Sequence, residues 1–225
     1  MLQVSPALPS RNVDGQSPGD TGSIASETLQ ILDTLDVVVQ LDCLQPPTLD
    51  AFAEQLAQRP GHYHLVHIDA QSNTSGSEIL LESYAGEAAN VPSSQVTELL
   101  LKAGVPTVLI NGGDTASSGV RPTAAAQLSA AGVPLVISVA APLTPVARSI
   151  FVNNLLRQIV AGVDISTATS VARRAMMDEP MRPSAAGKAP FWDWITPQVY
   201  QSREYNPAGI QIEQPAPLPP QTQPA

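Results

Sequence analysis

Hydrophobic and polar positions along this chain switch between two regimes: short unbroken apolar runs, and longer stretches in which apolar residues recur at helical spacing. The β-branched run Val37-Val38-Val39-Gln40-Leu41 predicts a strand. After it, Pro46-Pro47-Thr48 leads into a helix with Leu49, Phe52, Ala53 and Leu56 on one face and Thr48 placed to cap it. His64 to Ile68 reads as the next strand and Ile79-Leu80-Leu81 as a short one. Ser93 or Ser94 then opens a helix that sets Val96, Leu99 and Leu100 on one side and stops at Gly104. Thr107 to Ile110 is a strand, a helix follows near Pro122 to Ala131, and Val133 to Val139 is a continuous apolar run of the kind a parallel strand buried on both faces requires. Pro145 begins a long helix through Ile150, Leu155, Leu156 and Ile159 to Gly162, and Ile165 to Met177 forms another.

Strand-helix units in this order imply a three-layer α/β domain, a mostly parallel central sheet flanked by helices on both faces. With 225 residues, 43% of them hydrophobic, the chain can bury a core of its own, and its length suits one domain with tails. Residues 1–22 read as a poorly structured segment and 204–225 as a Pro/Gln-rich disordered tail, because neither offers enough apolar burial to offset its ordering entropy. The folded body is expected over 23–203. Within the first segment, Leu2-Gln3-Val4 reads as the stump of a strand, which would make this chain the C-terminal part of a longer domain.

Charge narrows the function classes. A net charge of −9 and no basic patch argue against nucleic acid, whose binders cluster Lys and Arg to displace counterions. The N-terminus lacks the basic start and apolar stretch of a signal peptide, no apolar run is long enough to span a bilayer, and the single Cys43 excludes an intrachain disulfide framework. The expected setting is cytoplasmic, without membrane association.

Two strand ends carry the functional question. His64-Leu65-Val66-His67-Ile68-Asp69-Ala70-Gln71-Ser72 and Thr107-Val108-Leu109-Ile110-Asn111-Gly112-Gly113-Asp114-Thr115 each run from an apolar strand into a small-residue loop, where open α/β sheets assemble their sites. Several segments in the same order resemble the CHAT family of caspase-like domains. Leu44-Gln45-Pro46-Pro47-Thr48-Leu49 followed by His62 to Asp69 resembles the family's helix start and the strand that presents its catalytic His. Gly104 to Asn111 resembles the strand that presents the catalytic Cys, and Ala130 to Val136 the strand after it. Ala172 to Met176 and Trp194 to Tyr200 are similar to the closing helix and last strand. The match covers roughly Asp36 to Gln201.

The resemblance implies a cysteine-peptidase fold, with the family's His-Gly falling on Gln71 and Ser72 and its Cys on Gly113. A cysteine peptidase needs a thiolate to attack and an imidazole to activate it, and neither Gln71 nor Gly113 supplies one. The expectation is therefore a degenerate member: no enzyme, no intact catalytic residue, no cofactor and no metal. It would act as a protein-interaction or regulatory module toward a protein or peptide partner, a TPR-containing protein or an active relative. His67, Asp69, Ser72, Asn111 and Asp114 are its groove or ligand candidates.

Other readings of the same residues stay beside this one. A relocated Ser or Thr nucleophile among Thr115, Ser117 and Ser118, with His67 as base, would retain peptidase activity; the plain alternative is that these residues and Asp114 cap and solvate a helix start. Cys43 reads as a small buried hydrophobe. His62, His64 and His67 cannot close around one ion on a regular strand, since the first two face opposite to the third. Asp69 and Asp114 read first as solvated loop residues and second as ligand contacts or a carboxylate pair across the loops. A phosphate loop at Asn111 to Asp114 lacks the Gly-Lys-Ser/Thr and Gly-x-Gly-x-x-Gly patterns. The Pro-rich stretch Pro215 to Pro220 reads as a linker or as a segment that docks on an aromatic groove.

Overall fold

The computed structural model describes residues 1–4, 28–34, 39–69, 77–111, 123–141, 143–184 and 187–202. Most of the stretches expected to be unstructured, 5–22 and 204–225, lie outside the described residues, as do the tail's Pro215 to Pro220. Leu2-Gln3-Val4 does not: it forms strand β1 (Leu2–Val4), hydrogen-bonded in parallel to β2 (Asp42–Leu44) on one side and β3 (Leu65–Ile68) on the other. Leu2 and Val4 are fully buried, so the short run has the burial of an interior strand.

The main sheet has six strands in the order β10-β7-β6-β3-β1-β2, where β6 is Thr107–Ile110, β7 is Leu135–Val139 and β10 is Pro197–Gln201. Five strands run parallel, and β10 closes one edge antiparallel to β7. The chain places β2 on one side of β1 and then returns to build outward from the other side. That makes the β1/β3 junction the topological switch point, outside whose carboxyl ends doubly wound sheets form their clefts.

Two cores lie on the two faces. Val66, Ile68, Val108, Ile110 and Val136 point to one face, under α2 (Leu49–Gln58), α3 (Ser93–Lys102) and α4 (Ala124–Ala130). Leu109, Leu135 and Ile137 point to the other, under α1 (residues 28–33), α5 (Pro145–Val160) and α6 (Ile165–Asp178). Sequence dictates the helix starts: Thr48, Thr123 and Thr144 each accept the N–H of the residue three positions on, as N-cap hydroxyls do. Gly104 and Gly162 follow the ends of α3 and α5 at φ +70° and +80°, the left-handed geometry that terminates a helix most readily with glycine.

Three expectations are corrected. The strand expected at Val37 to Leu41 is Asp42–Leu44; residues 35–38 lie outside the described residues, while Val39 and Leu41 are half-buried against the second core. Pairing of Leu2 with Asp42 and Val4 with Leu44 fixes this later register, which no local propensity announces. Cys43, expected to be buried, is exposed on the sheet's edge strand. The sheet pattern also missed two antiparallel hairpins: Ile79 and Leu81 belong to β4 (Glu78–Glu82), paired with β5 (Ala88–Pro92), and β8 (Met181–Ser184) pairs with β9 (Gly187–Pro190).

Candidate functional site

Parallel strands β3 and β6 are neighbours in register, with His67 opposite Leu109 and Ile68 opposite Ile110. Their ends stay joined beyond the strands, because the Asn111 N–H donates to the Ile68 carbonyl at 2.9 Å and the Asp69 N–H to the Val4 carbonyl at 2.9 Å. Val4, Asp69 and Asn111 therefore stand at the same carboxyl edge on three adjacent strands. Gln71, Ser72, Gly113 and Asp114 lie outside the described residues, as do Thr115, Ser117 and Ser118.

The described candidates His67, Asp69 and Asn111 converge. His67 shares its face of the sheet with Leu109, under α5, and Asp69 lies two residues further along the same strand direction. Arg148, one helical turn into α5, reaches the strand end with its guanidinium 3.7 Å from the Asp69 carboxylate. The Asp69 side chain is only 5% exposed, so the expected solvated loop residue is in fact a buried partner in an ion pair.

Electrostatics makes His67 a spectator in proton transfer. Burial, and then the positive Arg148 nearby, push its pKa down to about 3. Neither ring nitrogen has a hydrogen-bond partner among the described residues, and the residue is buried. A general base works best with a pKa near the operating pH and within reach of the proton it takes. His67 does not meet the first condition, which counts against it as the base of the relocated-nucleophile reading. His62 and His64 precede β3 and are exposed while His67 is buried, so these three imidazoles do not converge on a metal.

Asn111 completes the edge. It is buried, and its side-chain Nδ2 has no hydrogen-bond partner among the described residues. An amide donor left unsatisfied at the end of a strand, beside a buried ion pair, is a group prepared for an acceptor. Arg148 is the residue that the sequence reading missed. The signal was present: a cation in the first turn of a helix opposes the helix dipole and calls for a carboxylate nearby.

A second buried ion pair braces the opposite side of the second core. Arg182 on β8 is fully buried and pairs with Asp193 through Nε and Nη2 at 2.8 and 3.0 Å. It also donates to the Met176 and Glu179 carbonyls at the end of α6.

A three-layer α/β sandwich with five parallel strands and an antiparallel edge strand is the fold of the caspases. The chain is similar to the crystal structure of caspase-1 from Spodoptera frugiperda at a TM-score of 0.50, with 14% identity over 89% of this chain and 84% of that one. It is also similar to the Drosophila initiator caspase Dronc, at a TM-score of 0.47 and 9% identity over 89% of this chain and 79% of the other. No protein-family model matches the chain, and no curated protein is similar to it in sequence. The caspase-like fold expected from the ordered segments is therefore shown.

The reading of the chain as a non-enzyme is corrected. It rested on Gln71 and Gly113, both outside the described residues, and the solved structures that share the fold are caspases, which are cysteine peptidases. Among the described residues, no helix is long and apolar enough to cross a membrane.

Proposed function

We propose that the chain is a caspase-related protein of CHAT type that binds an extended protein or peptide segment at the carboxyl edge of β1, β3 and β6. One observation carries this reading: the Asn111 Nδ2 at the end of β6, which has no hydrogen-bond partner among the described residues, next to the Asp69–Arg148 pair at the end of β3. A polypeptide backbone offers a carbonyl for every residue, so it is the natural acceptor for a fixed amide donor. The site sits at the switch point of the sheet, outside whose carboxyl ends doubly wound sheets bind their ligands. The partner is a protein, a TPR-bearing one or an active relative of this fold, and binding serves regulation within a larger assembly.

The test uses the whole chain. It is titrated against a panel of fluorescent peptides, and each bound peptide is recovered and weighed by mass spectrometry to score cleavage. Saturable binding that weakens about tenfold on Asn111→Ala, roughly the loss of one hydrogen bond whose partner stays buried, supports the reading. Peptides that bind the Asn111→Ala chain as well as the parent would sink it. Co-purification with a TPR-bearing protein, lost in the same variant, would extend the result to the partner.

A further inference from the structure

A groove of about 510 Å³ lies away from the strand-end site, between α6 and the outer strand β10. From the helix it is lined by Ser166, Thr169, Ser170 and Arg173, which fall at helical spacing on one face. From the strand it is lined by residues of both alternations, Gln198 and Tyr200 on one face of the sheet and Pro197 and Val199 on the other. A depression that touches both faces of a strand runs along its edge. β10 is the last strand in the sheet, so among the described residues no further strand pairs with that edge.

The backbone there is set to receive a strand. The Thr196 carbonyl accepts from the Ala140 N–H at 2.9 Å and the Ser202 N–H donates to the Pro134 carbonyl at 3.1 Å, which turns the alternate residues Val199 and Gln201 outward with their N–H and C=O groups. Charge then selects among extended peptides. Arg173 is the only charged residue among the described residues that line the groove, in a chain whose net charge is −9. Its Nε donates to the Trp194 carbonyl at 2.9 Å and its guanidinium lies 5.7 Å from the Trp194 ring centre, so the side chain is fixed in place. That leaves the two Nη groups, the edge whose spacing matches both oxygens of a carboxylate. Thr169, 4% exposed on the groove wall, has a hydroxyl without a hydrogen-bond partner among the described residues.

We infer that this groove docks an extended polypeptide segment that adds to the edge of β10 and places an Asp or Glu carboxylate on the Nη groups of Arg173. A single cation matches a carboxylate monoanion; a phosphate dianion would keep half its charge uncompensated. Strand β7 lies between β10 and the nearest strand of the strand-end site, β6, and the groove does not depend on what binds there.

The experiment measures binding of fluorescein-labelled, capped heptapeptides built from Val and Thr with one central residue varied. The Glu peptide binds at least tenfold tighter than the Gln peptide and tighter than the phosphoserine peptide, and raising the salt from 50 to 500 mM weakens it. Arg173→Ala removes the preference for Glu. Because Arg173 also holds Trp194, a second variant guards against misfolding: Ser170→Glu sits on the exposed helix surface three residues before Arg173 and supplies an internal carboxylate in place of the ligand's. Its thermal melt matches the parent while Glu-peptide binding falls tenfold or more. Asn111→Ala leaves this binding unchanged, which separates the groove from the strand-end site. Equal affinity for the Glu and Gln peptides overturns the inference. So does tight binding retained in Ser170→Glu, or light scattering that shows a dimer in which a second copy of the chain fills the groove.

Discussion

Asp69 and Arg148 stand 3.7 Å apart although 78 residues separate them in the chain, one ending β3 and the other in the first turn of α5. Each corrects a cost of the other. Arg148 faces the positive end of its own helix, and Asp69 is a carboxylate almost withdrawn from water. Removing one partner leaves the other buried and uncompensated. Arg148→Ala is therefore expected to lower unfolding free energy by roughly 3 kcal/mol. Arg148→Met with Asp69→Leu, which removes both charges, should lose much less. Urea denaturation of the single and double variants checks this; equal losses in both would show that the pair contributes no mutual compensation.

His67 should make stability depend on acid. Its folded pKa of about 3 lies below the value near 6.5 of an unfolded histidine, so the folded state refuses a proton that the unfolded chain accepts. Between those two values the unfolded chain binds more protons. The contribution is thus fully present above pH 6.5 and is lost as pH falls toward 3. At pH 5 the loss from this residue alone is on the order of 2 kcal/mol. His67→Leu removes both the titration and two unpartnered ring nitrogens, so it should be close to neutral at pH 7.5 and flatten the pH profile between 6.5 and 4. Melts across pH for both chains test it, and an unchanged slope in His67→Leu would refute the assignment.

Thr144 caps the helix that carries Arg148, its hydroxyl accepting the Ala147 N–H at 3.2 Å. Thr144→Ala should cost about 1 kcal/mol, the usual worth of an N-cap oxygen. Because Arg148 sits one turn inside, hydrogen exchange should quicken first at the amides of Ala147 and Arg148. Uniform acceleration across α5 would instead mean that the cap's loss opens the whole helix.

Sequence announced what local chemistry controls and was silent where distant groups decide. The runs at Leu65 to Ile68, Thr107 to Ile110 and Leu135 to Val139 are buried on both faces, so their continuous apolar character showed through. Thr48, Gly104 and Gly162 act within one helical turn, and all three were legible. β2 was misplaced because only Leu44 of its three residues faces the core and its register is imposed by Leu2 and Val4, some forty residues earlier. β8 and β9, Met181-Arg182-Pro183-Ser184 and Gly187-Lys188-Ala189-Pro190, carry little β propensity and form because Arg182 anchors them. At the candidate site, the neighbouring strand ends were readable from their order. The burial of Asp69 was not, since it depends on an arginine presented by a helix far along the sequence.

That anchoring role of Arg182 gives the last prediction. Its guanidinium is fully buried, meets the Asp193 carboxylate with two nitrogens, and donates to the Met176 and Glu179 carbonyls where α6 runs out of intrahelical partners. One side chain thus joins the β8–β9 hairpin, the 3-10 turn at Asp193–Ile195 and the end of α6. Arg182→Ala strands Asp193 and two carbonyls at once and is expected to cost about 3–5 kcal/mol. Asp193→Asn keeps one acceptor and should cost less. The Phe191 N–H, which closes the hairpin by donating to the Pro180 carbonyl at 2.9 Å, is the local reporter: its exchange should speed up in both variants, and more in Arg182→Ala. Core amides of β6 and β7 should quicken only by the global loss of stability. If the Phe191 amide stays as protected as those core amides, the hairpin is held by something other than Arg182.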